Sequence, residues 1–510
     1  MLSVTFLLQT TAVLYALCLI IGSIATRKAF TARQSRNPAL LPWYKRCFRS
    51  ILSFCTFQFM FIRLVLFALL LLPAFLRIGW WYARSKNVIR GLAYTKDKKL
   101  RQTLDIYLPN NNSPNTNNTN KLFPVLFFTG GGAWVVGHKT FCALLGRIFM
   151  SQGILVVAPD YRQFPQVNVA EMLNDVDAAI QWTFDHVQEY GGDPNRIYIA
   201  GQSAGAHLTS TLVLEHASSE IKARTERKSM ERIGGGGGGA GSYKSDLTLG
   251  GLGTIVEEDD ESGEGNSNTT VARSAPPQSA PSQSGGSRDL VLLPWKCSQL
   301  AGYVGISGPY QLVHLREHLF DRGIEQVSFL THLIGGNKTS HMTDTQRDNA
   351  LSNHSPAIRL RSGTFQNGAN SDAATIQSSV FPPFVLIHGE SDNVVPKRST
   401  KEFAKSLRLA GVNVSVKYLS QASHTDPIIE DLLFDESGGK EAGAITELLR
   451  LIHRPIGLTN SDKKKRRRRP SMLADGFGYV TDERGQLPKS TVCSCLPRNV
   501  IKLARIVNPF

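Results

Sequence analysis

Arg196 to His207 reads RIYIAGQSAGAH, a short apolar strand that runs straight into Gly201-Gln202-Ser203-Ala204-Gly205 and then into a helical stretch from Ala204 to His216. Alone, a G-x-S-x-G pentapeptide is an ordinary Gly-rich turn. Between a strand and a helix it has a mechanical reading. The serine takes a strained corner, and the flanking glycines let neighbouring backbone approach without Cβ clashes. The corner exposes the Ser203 hydroxyl at the C-terminal edge of a sheet and aims the N-terminus of the next helix at negative charge developing there. Ser203 is therefore the candidate nucleophile.

Short apolar runs alternate with amphipathic stretches from about residue 86: Phe123 to Phe128, Ile154 to Ala158, Ile197 to Ala200, Gly302 to Ile306, Phe384 to Ile387 and Val414 to Leu419. This rhythm reads as βα units around a mainly parallel twisted sheet with helices on both faces, and together with the Ser203 corner it predicts an α/β-hydrolase fold. Val88 to Tyr94 and Thr103 to Leu108 read as an antiparallel pair at its edge. The run Phe123 to Phe128 leads into Gly130-Gly131-Gly132-Ala133-Trp134. Glycines there allow backbone N–H groups to close on an oxygen that becomes charged only in the transition state. Gly131, Gly132 and Ala204 are the expected oxyanion donors, with Ala133 and Gln202 beside them in the substrate site.

The fold requires the chain order serine, acid, histidine, each partner following a late strand. Asp392 follows Phe384 to Ile387, and His424 follows Val414 to Leu419. Asp392 is thus the expected orienting acid and His424 the expected general base. Glu390 and Asp426 are alternative acids by chain position, although Asp426 reads better as fixing the His424 loop. His207, one turn after Ser203, is expected to pack locally, and His388 to be structural. His138 and His354 are further loop candidates.

The formal charge is +16 over 510 residues, but its placement argues against a nucleic-acid groove. Seven basic residues from Arg27 to Arg49 and seven more from Lys463 to Arg469 leave only +2 for the rest. Such flanking blocks suit a membrane surface or a targeting receptor. Residues 2 to 25 carry no charge and are long enough for a membrane span, so residues 1–85 are expected to be an anchor region. A second apolar stretch, Ile51 to Tyr82, is expected to be either a re-entrant or interfacial segment or a second span; the first places the catalytic body in the cytosol, the second in the lumen. The Asn-x-Ser/Thr sequons at Asn111, Asn117, Asn268, Asn337, Asn353 and Asn413 test the lumenal version.

The catalytic domain is expected over 86–456, interrupted by a disordered insert at 221–289 with six consecutive glycines from Gly234 and an acidic cluster at Glu257 to Glu261. A shorter polar insert covers 362–379, and 457–510 reads as a basic, largely disordered tail. The seven cysteines show no metal-ligand spacing and do not suggest a disulfide framework. No metal or organic cofactor is expected.

Gly130 to Arg147 (GGGAWVVGHKTFCALLGR), Asp160 to Pro165 (DYRQFP) and Tyr190 to His207 (YGGDPNRIYIAGQSAGAH) together resemble the isoprenylcysteine carboxyl methylesterases. Ile306-Ser307-Gly308-Pro309-Tyr310, His388 to Asp392 and Ser423 to Asp426 fit the same family in order and spacing. The insert, the basic tail and Thr129, where many related hydrolases carry a histidine, depart from it. The resemblance implies hydrolysis of the methyl ester on a C-terminal prenylated cysteine at an endoplasmic reticulum or Golgi membrane. The partners expected are a prenylated protein or prenylcysteine methyl ester as substrate and the membrane, with no nucleic acid. A formamidase or general carboxylester or lipid hydrolase is the enzymatic alternative, and a catalytically inactive membrane-held interaction protein the other.

Overall fold

A computed structural model describes residues 15–16, 19–20, 43–96, 100–109, 122–234, 295–322, 329–335, 342–361, 365, 377–429, 444–452 and 498–508. The expected span at 2–25, apart from four of its residues, most of the polar insert at 362–379 and the basic run at 463–469 lie outside the described residues.

Eight strands form one sheet: β1 (Val88–Ala93), β2 (Thr103–Tyr107), β3 (Phe123–Thr129), β4 (Leu155–Pro159), β5 (Gly192–Gln202), β6 (Leu300–Ile306), β7 (Phe384–Gly389) and β8 (Val414–Leu419). Their order is β1-β2-β4-β3-β5-β6-β7-β8, parallel throughout except that β2 runs against both β1 and β4. This is the α/β-hydrolase arrangement. The order reverses around β3, so connections leave the carboxyl ends of β3 and β5 in opposite directions and open a crevice between them.

Alternation along the strands feeds two cores. Val125, Phe127, Ile197 and Ile199 enter one, with helix α3 (Val169–His186) and the first turns of α4 (Ala204–Gly234). Leu126, Phe128, Tyr198 and Ala200 enter the other. There they meet α2 (Ala143–Ser151), α10 (Ala444–Ile452) and part of the long helix α1 (Trp43–Arg84). Helices α5 (Leu312–Asp321), α6 (Phe329–Gly335), α7 (Asp344–Asn353), α8 (Pro356–Arg359) and α9 (Lys397–Leu409) complete the body, and α11 (Arg498–Val507) ends the described chain.

Three elements differ from the sequence reading. The stretch at 51–82 is part of one uninterrupted 42-residue helix, about 63 Å long, which is not the re-entrant hairpin and keeps the second-span alternative open. Its Phe54–Arg84 portion has the length and composition to cross a membrane. Phe67, Leu71, Ala74 and Ile78, at helical spacing, nevertheless bury one face in the second core. The helix after Ser203 continues well past both His216 and residue 221, to Gly234. Among the described residues of this helix apolar burial ends at Ile221, but Glu220–Arg224 and Arg227–Glu231 pair at i,i+4, and no breaker occurs before the glycine run. Residues 227–291 form a separate unit, described only over this helical end. Finally, the tail expected to be largely disordered contains one helix the sequence did not show, α11, which lies on α1 with Ala504 fully buried.

Candidate active site

Ser203 sits at the corner between β5 and α4 with φ +52°, a left-handed conformation costly for a residue bearing a Cβ. Its N–H donates to the Ile306 carbonyl at 2.9 Å, tying the corner to the adjacent strand. Two glycines make the turn possible. A Cβ at Gly201 would stand 2.6 Å from the Ala206 nitrogen, and one at Gly205 2.1 Å from the Thr129 carbonyl oxygen. The helix thus begins pressed against the end of β3.

The Ser203 Oγ lies 2.9 Å from His424 Nε2, and His424 Nδ1 lies 2.8 Å from Asp392 Oδ2. The carboxylate fixes the tautomer: Nδ1–H donates to it, leaving Nε2 to accept the serine proton. Asp392 is anchored in turn by the Val394 and Val395 N–H groups, each donating to Oδ1 at 2.9 Å. Burial alone would push this carboxyl up, but His424, His388 and the Val395 N–H hold it below the usual carboxylate range. Backed by an ionised, immobile acid, an imidazole that faces a hydroxyl can draw off the hydroxyl proton, and the acid stabilises the resulting imidazolium.

The loop after β3 closes the other side. A Cβ on Gly131 would stand 2.8 Å from the Ser203 Cβ and 3.0 Å from the Gln202 carbonyl oxygen, so only glycine lets this backbone reach the corner. Gly132 has φ +130°, and Ala133 and Trp134 are also left-handed at +49° and +62°. The Val135 and Val136 N–H groups both donate to the Gly132 carbonyl at 2.9 Å. The Gln202 side chain is buried, with Nε2 3.4 Å from His424 Nε2. Ala204 opens α4.

The BD-FAE family matches residues 104–233, the segment carrying both the glycine loop and the serine corner. An Arabidopsis thaliana protein named isoprenylcysteine alpha-carbonyl methylesterase ICME is 27% identical, over 88% of this chain and 76% of its own length. A second from the same plant, named "Probable isoprenylcysteine alpha-carbonyl methylesterase ICMEL1", is 29% identical over 73% of this chain, which spans 58% of that relative. Esterase LipC of Mycobacterium tuberculosis is 42% identical over 89 residues, 17% of this chain and 22% of that protein. The crystal structure of esterase B from Lactobacillus rhamnosis aligns at 16% identity and TM-score 0.43, covering 80% of this chain and 98% of that one.

The chain is a carboxylic ester hydrolase resembling the isoprenylcysteine methylesterases.

The other histidines and acids of this ester hydrolase are occupied elsewhere. His207 is fully buried, donates Nε2–H to the His354 carbonyl at 2.8 Å and meets the Trp134 ring edge-on; burial pushes its pKa down to about 4. His388 donates Nε2–H to Val395 O at 3.0 Å and lies beneath Asp392, 3.4 Å from Oδ2. Glu390 reaches Lys397 at 3.7 Å, and Asp426 accepts the Ser423 N–H at 2.7 Å, bracing the histidine loop. His138 lies 3.4 Å from Asp160. His354 Nδ1 lies 2.9 Å from Ala350 O.

Residue-by-residue reasoning missed two supports. Gln163 donates to Gly137 O at 2.8 Å, and Arg101 donates to the same carbonyl while pairing with Asp160 at 2.9 Å. They brace the glycine loop from behind. Gln163 and Asp160 lie in the DYRQFP stretch, noted only as a resemblance, whereas Arg101 left no signal. The other support is Asn508, which reaches both neighbours of His424 and left no signal in the sequence.

Proposed function

We propose that the chain hydrolyses the methyl ester of a C-terminal prenylated cysteine through an acyl-enzyme intermediate. Ser203 Oγ attacks the ester carbonyl as its proton passes to His424 Nε2, and the tetrahedral oxyanion is held by the Gly131, Gly132 and Ala204 amides. The C–O bond to the methoxy group breaks, and methanol leaves with the proton from His424. Water, deprotonated by His424, then cleaves the serine ester, releasing the prenylcysteine carboxylate and regenerating the hydroxyl.

The observation that carries the acyl-transfer part is the continuous hydrogen-bonded chain Ser203–His424–Asp392 beside a loop that only glycine can bring so close. Two features support the substrate. The long relatives are named for this ester. Val135, Val136 and Phe141, exposed just past the glycine loop, offer an apolar surface to a prenyl chain. Helix α1, apolar and largely exposed along Phe61 to Trp80, supports association with a membrane, where such a lipid ester is confined, and the family resemblance alone suggests the endoplasmic reticulum or Golgi.

Purified full-length protein assayed on a farnesylcysteine methyl ester, formylkynurenine and short acyl esters decides the substrate. The prenylated ester is expected to give the highest kcat/KM. Equal or better turnover of the others would replace this reading with a general esterase or a formamidase. Asn353 and Asn413 are both exposed sequons, so glycans on either would place the body in the lumen, and their absence from protein made in a glycosylating host supports the cytosolic face.

A further inference from the structure

Helix α11 docks on α1, and one side chain serves its C-terminal end. Arg63 donates from Nε to Val507 O at 3.1 Å and from Nη2 to Ile506 O at 3.0 Å and to Asn508 O. The last carbonyls of a helix as a rule lack intrahelical partners, so the guanidinium both caps α11 and fixes where the chain leaves it. Asn508, 7% exposed, donates its own N–H to Ala504 O at 2.8 Å. Its side-chain amide donates to Ser423 Oγ at 3.1 Å and to Thr425 Oγ1 at 3.0 Å. An amide nitrogen carries two hydrogens, one for each hydroxyl. The two hydroxyls belong to the residues immediately before and after His424.

The histidine loop needs such support. It follows β8, the outermost strand, so it has a sheet neighbour on one side only. The start of the loop is tied to the end of β7, where the Ser391 N–H donates to Ala422 O at 3.0 Å, and within the loop Ser423 and Asp426 hold one another; Asn508 adds the contacts that pin both neighbours of His424.

We infer that Asn508 is a positioning residue for His424, held in place by Arg63, so that the apolar helix α1 is mechanically part of the active site. The inference rests on His424 being the general base. A displacement of about 1 Å in a reacting group costs up to roughly 100-fold in rate, and a loop pinned at both neighbours of the base is protected against it.

The test uses full-length protein in detergent and a short-chain acyl ester, so that substrate preference does not enter. Asn508→Ala is expected to lower kcat about 10-fold while KM changes less than about 2-fold. Arg63→Ala should lower kcat similarly, and the double variant should be no worse than the poorer single one, because both act through one contact. Asn508→Asp supplies a readout that a merely structural role would not move. A carboxylate beside the loop stabilises the imidazolium, so the acid limb of kcat/KM should shift to higher pH. That limb also decides the matter if Asn508→Ala fails to fold. Wild-type kcat in both alanine variants, or an unmoved limb in Asn508→Asp, would overturn the inference while Ser203→Ala stays inactive. Turnover surviving in Ser203→Ala would instead overturn the reading beneath it.

Discussion

The two ends of the Ser203–His424 hydrogen bond are built in opposite ways. The serine end belongs to the middle of the sheet, where β5 lies between β3 and β6. Its constraints are close at hand: a left-handed φ, the Ile306 carbonyl, and glycines at 131, 201 and 205 with no room for a Cβ. The histidine end hangs from the edge strand and is placed by Asp392 and by Asn508, 84 positions further along the chain. A site can thus have one partner set by local backbone chemistry and the other by distant packing. The first kind is robust and readable, the second adjustable.

Substitutions on the two sides should break differently. Ser203→Ala removes the attacking atom, and ester turnover should fall by on the order of 10⁵-fold or more, measured as kcat against wild type. Asp392→Asn keeps the shape but favours the wrong imidazole tautomer, so kcat should fall about 10⁴-fold with little change in KM. Gly131→Ala strikes the serine side from the opposite loop. Its Cβ would meet the Ser203 Cβ and the Gln202 side chain, and pushing the loop back by one donor should cost roughly 10²- to 10³-fold in kcat. A Gly131→Ala variant with normal turnover would show that the loop does not contribute an oxyanion donor. These losses all exceed the tenfold effect expected at Asn508.

The smallest effect concerns stability. His207 braces the serine side one turn into α4, with its pKa pushed down to about 4 by burial, against an unfolded value near 6.5. As pH falls below about 6.5 the unfolded chain takes up the proton first. This contribution to stability is therefore complete above that pH and is lost as pH falls toward 4. Urea unfolding should show about 2 kcal/mol less stability at pH 5 than at pH 7.5 from this group, with buried His388 acting in the same direction. His207→Gln should flatten the slope. Asp392, held low, loses its own contribution only at more acid pH.

The sheet was legible because strand burial writes itself as short apolar runs, and Val414–Leu419 matches its run residue for residue. The convergence of Ser203, Asp392 and His424 was legible because chain order and strand ends constrain their positions. For Ile51 to Tyr82 the sequence left a re-entrant or interfacial segment and a second span both open; what it did not show is that the helix continues unbroken back to Trp43 and that α11 supplies carbonyls that accept from Arg63. The extension of α4 to Gly234 was missed because polarity was equated with disorder, although local charge pairs can sustain an exposed helix. Helix α11 was missed because RNVIKLARIV is too short to show its periodicity against a basic tail. Nothing in a sequence names the surface such a segment will find.

The most direct test is to label the full-length protein with a fluorophosphonate and locate the adduct by mass spectrometry. A single adduct on Ser203 is predicted, with labelling at least about 100-fold slower in His424→Ala and abolished in Ser203→Ala. An adduct on another residue, or labelling of Ser203 at an unchanged rate without the imidazole, would contradict the account.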